Sequence, residues 1–253
     1  MTHTTAAFDE MDALEARHWW FVGQRAITAA LLPANLMARR DVRILDVGCG
    51  VGGNMAALSM LGPALGIDYS FYGLQYTVQQ HPGRVAQATI EALPLATAQF
   101  DLVMTFDVIE ILPDDAQAFR ELARMVKPGG YLLVRLPGMQ ALAGAHDQYW
   151  QTYRRYERGV LRQRLIQAGL TPLRLTYANS FLMPPIFLVR KLQLLRMRLF
   201  GGEPGSDISL PPAPINAALA TLLKIEAAWI ARGSDWPAGV SLYALSQKPP
   251  SSL

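Results

Sequence analysis

The run Ile44-Leu45-Asp46-Val47-Gly48-Cys49-Gly50-Val51-Gly52-Gly53 constrains this chain more than any other stretch. An apolar run ends in a carboxylate, four glycines fall within the six residues 48–53, and a helical pattern begins at Asn54-Met55-Ala56-Ala57-Leu58. A strand, a glycine turn and a helix in that order bring backbone close to a ligand and aim helix N–H groups at it. Gly48, Gly50 and Gly53 satisfy the G-x-G-x-x-G spacing, and Asp68 follows twenty residues after Gly48. Taken alone, the pattern leaves the ligand open.

Composition narrows the classes. The 253 residues are 51% hydrophobic and 17% charged, which excludes a disordered chain and allows one well-buried domain with insertions. A single cysteine, Cys49, offers no intramolecular disulfide framework and suits a reducing compartment. The polar stretch 1–10 lacks the basic and apolar regions of a signal peptide, so a cytoplasmic protein is expected. The net charge is only +3, but between Tyr149 and Phe200 nine arginines and Lys191 face a single acid, Glu157. Such a stretch points to an anionic substrate, a membrane surface or a solvated helix face.

The chain then alternates. Strands are expected at 42–47, 64–67, 84–88, 101–106, 131–136, 170–177 and 240–246, with helices at 54–61, 71–80, 115–126 and 161–168 between them. Asp114 and Asp115 supply start chemistry for the third of these helices, and Lys127-Pro128-Gly129-Gly130 supplies stop chemistry. Alternation of this kind predicts a parallel sheet covered by helices on both faces. Residues 8–32 read as one helical segment carrying His18-Trp19-Trp20-Phe21. Three consecutive large rings cannot share one helix face, so some must meet a second surface.

The segment 181–231 breaks the rhythm. Its first part, 181–200, is apolar and basic together, a Gly/Pro-rich loop spans 201–214, and a helix is expected over 215–231 with a stripe at Leu219, Leu222, Leu223, Glu226, Trp229 and Ile230. Residues 181–189 are too short for a membrane span and contain two prolines. The 181–200 stretch suits an interfacial helix peripheral to the inner membrane, or a core-packing or dimer-forming one. A Pro/Ser tail closes the chain.

The charge beside the glycine loop separates the cofactors. Asp46 would lie near a pyrophosphate in a nicotinamide or flavin enzyme, which is unfavourable. The same carboxylate favours a phosphate-free ligand carrying an ammonium and a sulfonium. Asp68 suits a ribose in either case.

Further motifs follow in one order: Leu93-Pro94-Leu95, Phe100-Asp101-Leu102-Val103, Asp107-Val108-Ile109-Glu110 and Val126-Lys127-Pro128-Gly129-Gly130. With the His18-Trp19-Trp20-Phe21 segment, the chain resembles the class I S-adenosylmethionine-dependent methyltransferases from about Glu15 to about Arg190, and again in Pro237-Ala238-Gly239-Val240-Ser241-Leu242. The resemblance implies an α/β, Rossmann-like, mostly parallel seven-stranded sheet flanked by helices, with its last strand antiparallel. An N-terminal helical cap (1–35) and a helical insertion (181–236) would flank a core at 42–180 and 237–248. It places Asp46, Gly48, Gly50 and Gly52 on the methionine portion of the cofactor, Asp68 on the ribose, Thr89, Ile90 and Glu91 along the adenine, and Asp107 at the end of the fourth strand, with Cys49 and Tyr69 also among the cofactor-binding positions. The product would be S-adenosyl-L-homocysteine.

This chain has Thr89 where the group often has an acid, Ile111 where a histidine commonly follows Glu110, and Thr152 where a histidine sometimes stands. The remaining proton-acceptor candidates are His18, His146, Asp147 and Glu110. Trp19, Trp20, Tyr149, Trp150, Arg154, Arg155 and Tyr156 are the candidates for holding an aromatic or anionic acceptor. The expected reaction is methyl transfer, O-directed, to a small-molecule or lipid- or glycan-linked acceptor. A nicotinamide oxidoreductase and a cofactor-binding scaffold without chemistry are the alternatives. No metal is expected, nor a nucleic-acid partner, and the protein would be a monomer or homodimer.

Overall fold

The structure, a computed structural model, describes residues 5–201 and 209–250. Seven strands form one sheet: β1 (Ile44–Val47), β2 (Ala64–Asp68), β3 (Val85–Gln87), β4 (Phe100–Phe106), β5 (Val126–Pro137), β6 (Thr171–Ala178) and β7 (Ser241–Gln247). Their order is β3-β2-β1-β4-β5-β7-β6. All neighbours run parallel except β7, which is antiparallel to both β5 and β6. The order reverses between β1 and β4, and the crevice at such a switch point, beyond the carboxyl ends of the strands, is where open α/β sheets bind ligands.

Helices cover both faces. They are α1 (Thr5–Glu15), α2 (Trp19–Leu31), α3 (Ala34–Met37), α4 (Gly53–Leu58), α5 (Phe71–Gln80), α6 (Asp115–Met125), α7 (Ala145–Tyr149), α8 (Arg158–Gln167), α9 (Met183–Phe200) and α10 (Ala213–Ala231). Every residue of β1 is buried, as a central parallel strand requires. One apolar cluster packs Phe119, Leu122, Leu161 and Leu165 on one face of the sheet; a second packs Ile27, Leu31, Met55 and Ile230 on the other. Helix starts follow local chemistry: the Asp114 carboxylate accepts from Ala116 and Gln117 N–H, and the Ser70 hydroxyl accepts from Gly73 N–H.

Two expectations change. The segment 8–32 is two helices, because the chain breaks at Ala16-Arg17-His18 and His18 caps α2 in an extended conformation. The break resolves the crowding of rings: Trp19, Trp20 and Phe21 are all half-buried at the junction of α2 with the insertion. Nor is α9 packed in the core. Most of its apolar side chains are exposed. The helix expected at 215–231 runs as α10 and buries Ala220, Leu223, Glu226, Ala227 and Ile230 against α2, while Leu222 and Trp229 of the expected stripe stay exposed. Part of the expected 201–214 loop and the end of the Pro/Ser tail lie outside the described residues.

Candidate active site

The glycine loop leaves β1 at Asp46 and enters α4 at Gly53. Gly48 sits at φ 81°, and a side chain there would strike Val108 Cγ2 at 2.1 Å, so only glycine lets the loop close against the turn after β4. Gly52 caps α4 in the left-handed region at φ 92°. The Gly48 and Cys49 N–H groups donate to Ile67 O, and Thr77 Oγ donates to Gly50 O at 2.6 Å, which pins the loop between β2 and α5.

Three carboxylates converge on this loop. Asp68 accepts from Gly50 N–H at 2.8 Å and from Ser70 N–H at 2.7 Å. Glu15, from the end of α1, accepts from Gly53 N–H at 3.1 Å. Asp46 is 1% exposed, and neither of its oxygens has a hydrogen-bond partner among the described residues. Burial, then the Glu15 and Asp68 charges, pushes its pKa up to about 8. Burial likewise raises Glu15, opposed by Arg25, whose guanidinium donates to the Glu15 carbonyl at 2.8 Å. A buried carboxylate with no protein partner beside two more acids is a site for a cation. The residues present therefore fit the ammonium and sulfonium of S-adenosylmethionine.

Asp107 ends β4 at φ 55° and takes two hydrogen bonds from Arg135, at 2.9 Å from Nε and 2.7 Å from Nη2. Burial opposes charge on Arg135, but the Asp107 carboxylate and the Tyr243 hydroxyl outweigh it and hold the guanidinium charged. Glu110 follows in the short turn Ile109–Ile111. It is 4% exposed, and its Oε2 has no hydrogen-bond partner among the described residues. Burial and the Asp107 charge push it well above the usual carboxylate range.

The other expected proton acceptors are already engaged. His18 Nδ1 accepts from Trp20 N–H, and its Nε2 lies 3.1 Å from Ser209 O, so the ring fastens the start of α2 to the insertion. Burial lowers its pKa. Asp147 accepts from Arg155 Nε at 2.8 Å and from Gly144 N–H at 2.7 Å, which makes it a turn anchor. His146 is half-buried with its ring 6.3 Å from Trp150.

Part of the expected acceptor set also changes role. Arg154 pairs with Asp115 at 3.0 Å, Arg155 with Asp147, and the buried Tyr156 hydroxyl donates to Asp115 at 2.9 Å. Arg154 and Tyr156 hold the segment after α7 to α6, because a buried acid such as Asp115 needs partners, and Arg155 ties it back to α7. The exposed Tyr149 and the half-buried Trp150 meet edge to face at 5.2 Å at the end of α7, while Trp19 and Trp20 meet at 5.7 Å on α2. Ile90 is buried; Thr89 and Glu91 are half-buried and Tyr69 is exposed at 55%. The Cys49 thiol faces inward, near where a side chain on Gly66 would lie, and burial raises its pKa, so any contact it makes with a cofactor is through its backbone.

Glu15, Arg25 and Arg135 escaped the sequence reading. Arg135 had a signal: it is the one charge in Tyr131-Leu132-Leu133-Val134-Arg135-Leu136, and a charge inside a buried strand needs a partner.

Residues 45–134 match the methyltransferase domain family. That stretch is a methyltransferase domain of the class I S-adenosylmethionine-dependent kind. The chain is 41% identical over 107 residues to the malonyl-[acyl-carrier protein] O-methyltransferase of Enterobacter lignolyticus, covering 42% of this chain and 43% of that protein. It is 33% identical over 160 residues to the ubiquinone biosynthesis O-methyltransferase of Xanthomonas oryzae pv. oryzae, covering 56% of this chain and 66% of that one. The chain spans about half the length of several of the curated relatives it matches. Among solved structures, the complex of the Haloferax volcanii Trm112 methyltransferase activator with a methyltransferase matches 97% of this chain and 98% of the other at a TM-score of 0.60 and 17% identity. At that identity the likeness speaks for the methyltransferase fold alone, over nearly the full length of the chain.

Proposed function

We propose that this protein transfers a methyl group from S-adenosylmethionine to an oxygen of a small acceptor bearing a carboxylate or a phenolic hydroxyl. The observation that carries the reading is Asp46, a buried carboxylate without a hydrogen-bond partner among the described residues, at the point where the sheet order reverses. Both curated relatives described above are named as O-methyltransferases, which supports an oxygen nucleophile. Asp68 would hold the ribose, the Gly48–Gly52 backbone and Asp46 the methionyl ammonium end, and Arg25 the methionyl carboxylate. Thr89, Ile90 and Glu91 would lie along the adenine, with Ile90 packing in place of an acid.

The cofactor supplies an electrophilic methyl on a positively charged sulfur, so the protein's task is alignment, exclusion of water and, for a hydroxyl, removal of a proton. Glu110 is the candidate base whose carboxyl keeps an oxygen without a hydrogen-bond partner. Trp19, Trp20, Tyr149 and Trp150 offer ring faces for the acceptor. An acceptor carboxylate is already a nucleophile and needs no base.

Two measurements test the reading. Calorimetry with S-adenosylhomocysteine is expected to show binding by the wild type and at least about a tenfold loss in Asp68→Ala, since a lost bidentate acceptor leaves the ribose hydroxyls unpaired. Binding of NADH with none of S-adenosylhomocysteine would overturn it. With a hydroxyl acceptor, Glu110→Gln is expected to lower kcat by about 100-fold while S-adenosylhomocysteine affinity holds. An unchanged kcat removes Glu110 from the chemistry.

A further inference from the structure

We propose that the outer faces of α9 and α10 seat the protein on an anionic lipid surface. Helix α9, unlike an ordinary surface helix, is apolar on its outer side as well as its inner one. Its protein-facing side consists of Met183, Ile186, Arg190, Leu194 and Met197, and the most buried of these is the charged one, Arg190, at 7% exposed. The Arg190 guanidinium donates to the Leu142 carbonyl at 3.0 Å, just before α7. Arg190 thus fastens the helix among apolar neighbours, and a second set of apolar residues faces outward.

At about 100° per residue, Leu188, Leu192, Leu195 and Leu199 fall within an arc of about 60° opposite that inner side. All four are exposed, Leu199 at 66%, and the exposed Val189 and Phe200 lie farther round the helix, beyond Arg196. On α10, Ile215, Leu222, Ile225 and Trp229 form a second exposed row on the side away from α2. Phe181 packs edge-on against Trp229 at 5.9 Å, and Trp229 stacks on Trp236 at 5.4 Å, so an aromatic cluster joins the start of α9 to the end of α10. Taken by itself α10 is long and apolar enough to cross a membrane, but its inner row is buried along α2.

Charge selects the occupant. Helix α9 carries Arg190, Lys191, Arg196 and Arg198 and no acid; α10 carries Lys224 and a single acid, Glu226, which is fully buried and accepts from Ser180 N–H. The exposed charge of both helices is therefore positive. A symmetric pairing of two copies through this patch would set like charges against each other, because such an interface presents the same surface twice. An anionic headgroup layer meets the same charges favourably, with leucines entering the acyl boundary and Lys191 and Arg196 flanking them. The inference is independent of the methyl-transfer reading, since it requires neither cofactor nor acceptor.

The test is co-sedimentation of the full chain with phosphatidylcholine vesicles, with and without phosphatidylglycerol. Binding is expected to rise with phosphatidylglycerol and to fall with salt. The double variant Leu192→Glu/Leu195→Glu, at exposed positions, is expected to keep the wild-type melting temperature and to bind at least about tenfold more weakly. Lys191→Glu/Arg196→Glu is expected to lose the preference for phosphatidylglycerol. The proposal is overturned if the wild type stays in the supernatant with phosphatidylglycerol vesicles, or if the leucine variant binds as the wild type does. It is equally overturned if the chain is a dimer that the leucine variant dissociates and that shows no affinity for lipid.

Discussion

Replacing Asp46 with asparagine is expected to stabilise the ligand-free protein while abolishing cofactor binding. The folded-state pKa of about 8 lies above the ordinary aspartate value of 3.8. The folded chain therefore holds a proton that the unfolded chain gives up. Below about pH 4 both states are protonated and the group costs nothing; as pH rises toward 8 the folded state loses stability, and above 8 the loss levels off. At about 1.4 kcal/mol per unit, the cost at pH 7 reaches about 4 kcal/mol. Asparagine has the same shape and no charge to bury. A chain of this size is then expected to melt about 5–10 °C higher at neutral pH, with the gain vanishing toward pH 4.

The same proton is linked to the ligand. A cation placed beside Asp46 favours its ionised form, so binding at pH 7 is expected to release a proton and to tighten as pH rises toward 8. Calorimetry of S-adenosylhomocysteine binding in buffers of different ionisation enthalpy reads that release directly. Asp46→Asn is expected to bind at least about 100-fold more weakly with no proton release. A variant that melts lower than the wild type, or that binds with the wild-type proton count, would show that Asp46 is a structural group. Stability sacrificed at a ligand site is the usual trade between a poised site and a relaxed one.

The sheet was legible because each strand carries its own period and its own punctuation. The two acids at 114 and 115 start α6, which ends at Met125 ahead of the stop expected at 127–130, a stretch that is already part of β5, and the seven apolar runs all became strands. The glycine loop was legible for the same reason: its chemistry is local, and Asp46 lies within it. What escaped depends on distant partners. Glu15 reaches the loop across 38 residues of sequence, through a bond to Gly53 N–H that no spacing rule encodes. Arg154, Arg155 and Tyr156 read as a binding cluster because their acids, Asp115 and Asp147, lie elsewhere in the chain. His18 read as a base because nothing in its neighbours reveals the Ser209 carbonyl that takes its second nitrogen. For α9, periodicity alone leaves open which side faces inward; Arg190 decides it through Leu142.

Gly23 is a position away from the cofactor where a single methyl group is expected to be costly. It lies where α2 crosses α10, and a Cβ there would stand 2.1 Å from Leu223 Cδ1 and 2.5 Å from Leu223 Cβ. Leu223 is fully buried and cannot swing into solvent, so the helices themselves must separate. The clamp around the crossing resists that movement. Asn216 takes a hydrogen bond from Trp19 N–H at 2.9 Å and donates to the Arg17 carbonyl at 2.9 Å, so parting the helices strains those bonds as well. Overpacking of this kind costs about 1–3 kcal/mol, and a strained clamp adds to it. Gly23→Ala is therefore expected to lower the melting temperature by about 5–10 °C, even though alanine is the better helix former at an exposed site. Adding Leu223→Ala separates the causes. If contact with the leucine is the reason, the double variant recovers part of the loss and the two changes are strongly non-additive; additive losses would mean that the crossing does not depend on the missing side chain.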